Sequence, residues 1–181
     1  SDAVDAVRLA KSLIAARKNR SRKGTAMRRL FLPLLLCLLF ALPAFAAQPD
    51  KAIPSIAAQQ VLDIVKENKG KLVFINFFAT WCPPCREELP ELIDLRKDYP
   101  ADKVVIVSVS LDTDRQKLES FVEGMGFTYP VYMAEPDVGP LFGISSIPFN
   151  LLYDAAGKLV AAGPGMIGKE DLAEAFDGLL Q

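Results

Sequence analysis

The 181-residue sequence contains no histidine and only three cysteines. That pair of shortages excludes an ordinary zinc site, which takes four Cys or His ligands. Cys37 is further set aside because it follows Leu36 in the middle of an apolar run, where it reads as a small hydrophobe rather than a lipid-attachment cysteine. Basic residues are also scarce beyond the amino end. Residues 1–46 carry nine Lys or Arg against two Asp or Glu, whereas residues 47–181 carry twelve against twenty. The resulting +7 and −8 nearly cancel in a total of −1, so the bulk of the chain is acidic. An acidic body repels phosphate backbones, and no nucleic acid partner is expected. Internal repeats and low-complexity tracts are absent as well.

The amino end is organised by charge and apolarity. Met27-Arg28-Arg29 precedes an apolar run from Leu30 to Phe40, broken only by Pro33, and then Ala41-Leu42-Pro43-Ala44-Phe45-Ala46. Positive, apolar and small-residue segments in that order make a secretory signal peptide over residues 27–46, with cleavage after Ala46 or Ala47. The apolar run, about 17 residues with two prolines, is close to the short limit for a membrane span, so an uncleaved anchor is the alternative. Either outcome sends the remainder of the chain to the periplasm or the extracytoplasmic face of the membrane. Residues 1–26 read as a basic extension without an independent fold. Leu9, Leu13 and Ile14 among Arg8, Lys11, Arg17 and Lys18 also suit a short amphipathic helix on an anionic membrane. Residues 47–54 form a polar linker, and residues 55–181 have the length of one domain.

Within that domain strands and helices alternate. Ser55 can cap a helix carrying Ala58, Val61, Leu62 and Val65 at helical spacing. Lys71 to Phe78 is a nearly continuous apolar run, as expected of a strand buried on both faces. A helix from Cys82 to about Tyr99 comes next, then a second buried strand from Val104 to Leu111, and a helix beginning at Asp112 or Thr113 and ended by Gly124 and Gly126. Tyr129 to Met133 is a short strand, and Asp137 to Phe142 a loop or short helix. Phe149 to Tyr153 and Lys158 to Ala162 make a hairpin through Ala155-Ala156-Gly157, and Lys169 to Leu180 closes the chain as a helix. The pattern predicts an α/β sandwich whose central mixed sheet is mostly parallel, antiparallel at its far edge, and covered by helices on both faces.

Chemistry concentrates in Trp81-Cys82-Pro83-Pro84-Cys85. Two cysteines so spaced at a strand-to-helix junction can close a small disulfide ring without moving the backbone. A reactive thiol needs its pKa below the free value of about 8.5, and unpaired N–H groups and the dipole at a helix start favour the thiolate. Pro83 and Pro84 fit the first turn, where a missing N–H costs little. Cys82 is therefore expected to be the exposed attacking thiol, and Cys85, one turn inward, the resolving one. A purely structural disulfide is the competing reading, although a bridge closing so small a loop removes little chain entropy.

The stretch from Asn76 to Pro90, N-F-F-A-T-W-C-P-P-C-R-E-E-L-P, resembles the active-site segment of the thioredoxin superfamily, in its exported TlpA/ResA/DsbE-like branch. The likeness runs from about Ala52 to Gln181. It implies a thioredoxin-like three-layer sandwich, with Pro90 as the proline inside the active-site helix and Ser108 to Met133 as the branch's strand-and-helix insertion. It implies that Pro148 is a cis-proline facing the cysteines, and that the Ile147 backbone pairs with an extended substrate segment; an ordinary trans loop proline is the alternative. Trp81 then shields the disulfide and, with Pro83 and Pro84, offers substrate an apolar contact. Glu88 stands where the branch has an acidic residue that exchanges protons with the thiols, while a solvated helix face shared with Glu87 and Glu91 is the competing placement. Asn76 occupies the place of the buried strand aspartate of ordinary thioredoxins. Phe149-Asn150 after the proline and Gly143-Ile144-Ser145-Ser146 before it depart from the branch, which puts the substrate, and any role in cytochrome c maturation, in doubt.

The implied function is a thiol-disulfide oxidoreductase acting on protein disulfides as a reductant. No cofactor or metal is needed beyond the redox-active disulfide. A membrane thiol-disulfide donor supplies electrons, residues 27–46 can contact the membrane, and the chain is expected to be a monomer. Two other readings stay open. A thioredoxin-fold peroxidase would carry threonine three residues before its cysteine, where Ala79 stands here, and a non-catalytic binding or chaperone module would use the groove at Pro148.

Overall fold

The computed structural model of the chain describes residues 52–181. The expected signal or anchor, the basic extension, Cys37 and most of the linker lie outside the described residues. Eleven elements occur in order among the described residues: β1 (Ser55–Ile56), α1 (Ala58–Glu67), β2 (Leu72–Phe78), α2 (Pro83–Asp98), β3 (Val104–Ser110), α3 (Arg115–Met125), β4 (Val131–Ala134), α4 (Val138–Phe142), β5 (Phe149–Tyr153), β6 (Leu159–Pro164) and α5 (Lys169–Leu179). The six strands form one sheet in the order β1-β4-β3-β2-β5-β6. β1, β4, β3 and β2 run parallel, and β5 and β6 join antiparallel. This is a thioredoxin-like mixed sheet.

Period-two alternation along the central strands divides the interior into two cores. On one face Leu72, Phe74 and Phe78 of β2 pack with Leu89, Leu92 and Leu95 of α2, Leu118 of α3 and Leu172 and Phe176 of α5. On the other, Val73, Ile75 and Phe77 meet Val61 and Val65 of α1 and Val138 of α4. Every residue of β2 is buried, Asn76 included, in agreement with its nearly continuous apolar run.

Several local expectations are corrected. Ser55 does not cap α1, because it is drawn into β1 opposite Met133. The helix start is instead satisfied from a distance and from within: Ala58 N–H reaches the Asp137 carboxylate, and the Ala57 N–H donates to Gln60. Asp114, not Asp112 or Thr113, caps α3 by accepting from Lys117 N–H, since Asp112 is committed elsewhere. Gly124 lies inside α3, and Gly126 alone ends it in the left-handed region, φ 70°. Leu62 is exposed, so the buried stripe of α1 is Ala58, Val61 and Val65. Ile53, assigned to the linker, is buried against the first core.

Candidate active site

β2 ends at Phe78, and the chain turns through Ala79, Thr80 and Trp81 into α2. Cys82 is the N-cap of that helix in extended conformation, and the prolines occupy its first turn. Cys82 and Cys85 are joined by a disulfide with Cα atoms 5.3 Å apart. The Cys85 N–H points at Cys82 Sγ at 3.3 Å, an orphan helix-start donor aimed where a thiolate would form.

The turn is held by Asp112, which sits just past the end of β3 and is only 5% exposed. Its carboxylate accepts from the Thr80 N–H at 2.8 Å, the Thr80 hydroxyl at 2.7 Å and the Ser110 hydroxyl at 2.6 Å. Leu111 N–H donates to the Phe78 carbonyl, so the ends of β2 and β3 are tied beside the cysteines.

Opposite the disulfide, the Ile147–Pro148 peptide bond is cis, as the resemblance implies. Cys82 Sγ lies 3.7 Å from the Ile147 carbonyl oxygen. In the disulfide that sulfur carries no proton, so the approach is a contact rather than a hydrogen bond. A cleft of about 420 Å³ runs between the two segments, lined by Trp81, Cys82, Pro83, Pro84, Leu111, Ser145 and Ile147 among others.

Exposure corrects one expectation. Cys82 is only 3% exposed and Cys85 fully buried, whereas Trp81 is 68% exposed. Cys82 Sγ is therefore not a projecting group but lies at the floor of a groove walled by Trp81 and the prolines.

Glu88 resolves the other open placement. It is fully buried beneath α2, while Glu87 is exposed and Glu91 half-buried, so no solvated acidic face includes it. One carboxylate oxygen, Oε2, accepts from Asn76 Nδ2 at 2.8 Å; the other accepts from Asn150 Nδ2 and from the Ile167 N–H, each at 2.9 Å. Burial pushes its pKa above the ordinary 4.5, against the lowering pull of the Ile167, Asn150 and Asn76 hydrogen bonds. Desolvation also raises the pKa of Tyr129, which lies at the edge of the same network through Ser108.

Sequence reasoning named Asp112 only as a helix start and Asn150 only as a departure from the branch, and gave neither of them, nor Ser108, a place at the site. For Ser108 and Asn150 the signal was present as polar residues in apolar strands, V-V-I-V-S-V-S and F-N-L-L-Y, at positions facing α2, whereas Asp112 lies beyond the strand end. Among the described residues no cluster of three His, Cys, Asp or Glu could hold a metal, and no helix is long and apolar enough to cross a membrane.

Comparison with known proteins agrees with this geometry. The pattern of the AhpC/TSA family matches residues 41–163. The thiol-disulfide oxidoreductase ResA of Geobacillus thermodenitrificans is 29% identical over 171 residues, 88% of this chain and 98% of that protein. Among solved structures, a thiol:disulfide interchange protein of the thioredoxin family from Chlorobium tepidum superposes with a TM-score of 0.60 at 27% identity, covering 75% of this chain and all of that one. The exposed lipoprotein thioredoxin Etrx1 of Streptococcus pneumoniae gives 0.56 at 25% identity, over 64% of this chain and 90% of that one.

Proposed function

Because this chain belongs to the AhpC/TSA family and is a thiol-disulfide oxidoreductase, we propose that it reduces protein disulfides outside the cytoplasm through a Cys82–Cys85 dithiol–disulfide cycle. One observation carries the reading: the bonded pair lies at a helix start, with the cis-Pro148 segment across a groove open to an extended chain.

The cycle begins from the dithiol. Cys82 as thiolate attacks one sulfur of a substrate disulfide, and the other substrate sulfur leaves with its electron pair and takes a proton. Cys85 then loses its proton and attacks Cys82 Sγ, which forms the Cys82–Cys85 bond and expels the second substrate thiolate. Two electrons pass to the substrate, so a thiol donor must restore the dithiol. A membrane thiol-disulfide partner is the donor class that fits an exported domain. Trp81, Pro83, Pro84 and the Ile147 backbone form the walls that receive the substrate. Glu88, on α2 one turn after Cys85, is the proton-handling group. The signal-like order of residues 27–46 supports export, as does the description of a similar streptococcal protein as an exposed lipoprotein.

A peroxidase is disfavoured. Ala79 stands three residues before Cys82, and the hydroxyl of Thr80 is spent on Asp112.

The deciding experiment is a trap. An exported Cys85→Ser variant is expected to accumulate proteins disulfide-linked to Cys82, and the reduced wild type to cleave insulin disulfides. Acid quenching and alkylation of cells should find the wild-type pair mainly reduced. No adduct together with no insulin reduction removes the enzyme, while a mainly oxidised pair in cells removes the reductant direction alone.

A further inference from the structure

Asn76, Ser108 and Asn150 interrupt three adjacent apolar strands at one level: Asn76 on β2 stands opposite Ser108 on β3 and Asn150 on β5. Their hydrogen bonds have a direction. The Gly165 carbonyl can only accept, and Asn150 Nδ2 donates to it at 3.1 Å. That turns Asn150 Oδ1 toward β2, where it accepts from Asn76 Nδ2 at 2.8 Å. The oxygen of Asn76 is left for the Ser108 hydroxyl at 3.3 Å. Both amides are thereby obliged to present N–H to Glu88, one to each oxygen. A single backbone acceptor sets the polarity of the whole array. Gly165 is fixed in turn, its own N–H bonded to the Pro148 carbonyl at 2.8 Å and its φ of +111° in a region that favours glycine.

We propose that Asn150 is a positioning residue for the redox chemistry: anchored by Gly165, it sets the proton affinity of Glu88, and through that charge the reactivity of the thiols. The inference rests on the oxidoreductase reading above and adds a residue at which this chain departs from its branch. An array of three N–H donors favours the carboxylate over the neutral acid, because hydrogen bonds to a charged acceptor are the stronger ones. No cation is among Glu88's hydrogen-bond partners in the described residues, so neutral amides are what offset its burial. A charged Glu88 one turn from Cys85 disfavours a thiolate, and a neutral one does not.

The ionisable groups around Glu88 are few. Glu91, on the same helix, accepts from the Lys169 N–H at 2.8 Å. Tyr129, from the segment before β4, reaches the array only through Ser108, at 3.4 Å. Asp171 of α5 lines a cleft of about 250 Å³ that also exposes part of Asn150 and Ile167. The cysteines complete the set. Asn150, like Asn76, is a contact whose removal changes Glu88 without touching another charge, and it alone is anchored by the Gly165 carbonyl.

The test compares wild type with Asn150→Ala and Asn150→Thr, the latter keeping a strand-favouring residue with one hydroxyl. Carboxyl-carbon NMR titration of Glu88 reads its midpoint directly, and iodoacetamide alkylation against pH reads the Cys82 thiol. Loss of a hydrogen bond to a charged acceptor should raise the Glu88 midpoint by about one pH unit or more in the Ala variant and by less in the Thr variant. The matching inflection in the alkylation profile should move the same way. An unchanged Glu88 midpoint in whichever variant folds, with insulin reduction intact, overturns the role of Asn150. A shifted midpoint in a protein that never reduces insulin overturns the oxidoreductase reading and leaves the positioning of Glu88 standing.

Discussion

At the scale of single residues, the site places a carboxylate where burial and hydrogen bonding oppose each other. Glu88 receives N–H groups on both oxygens, yet desolvation prevails and its pKa rises. The consequence for stability has a definite sign. A group whose folded pKa exceeds its unfolded value contributes stability that is complete below the unfolded pKa and lost as pH rises through the folded one. Urea denaturation of wild type and Glu88→Gln across pH should therefore show the difference moving in favour of the Gln variant as pH climbs from the ordinary carboxylate range. A gap that moves the other way would mean that the amides outweigh burial. Cys82 teaches a second lesson at this scale. Its position at a helix start was legible from Pro83, Pro84 and the preceding strand, but its 3% exposure was not, because Trp81 and the Ile147 segment that wall it come from a turn and a distant loop.

At the scale of elements, the active-site turn is held by a strand end rather than by its own helix. Asp112 joins Thr80 and Ser110, and so couples the termini of β2 and β3 to the residues just before Cys82. Asp112→Ala leaves the buried Ser110 hydroxyl and the part-buried Thr80 N–H without their acceptor, which should destabilise the domain by about 1 to 3 kcal/mol by chemical denaturation. It should also slow insulin reduction, since the Cys82 backbone loses its brace. An unchanged rate would confine Asp112 to stability. Sequence periodicity located these elements within a few residues, yet misassigned Asp112 as a helix start and Ser55 as a cap. Both errors have one cause: an Asp or Ser before a helical stripe is a good cap in isolation, and only tertiary pairing diverts it. Ser55 went to β1, paired with β4, and Asp112 to Thr80 in the turn that follows β2.

At the scale of the whole molecule, charge and apolarity divide the chain into a basic, apolar amino end and an acidic body. Expressed in a bacterial host and recovered from the periplasm, the chain should begin after Ala46 or Ala47 by amino-terminal sequencing. Recovery of the intact chain in the membrane fraction would favour the anchor instead. The layered sheet and the disulfide motif are written in local spacing, as apolar runs for the central strands and C-P-P-C at a helix start, whereas the cis-proline opposite the cysteines followed only from the resemblance to the thioredoxin superfamily. What the fold alone decided was which polar residues meet. Asn76, Ser108 and Asn150 lie on three strands far apart in sequence, and no local pattern fixes their register or the direction of their hydrogen bonds. Pairing of the strands brings them to one level under Glu88, and a single backbone carbonyl then dictates how both amides turn.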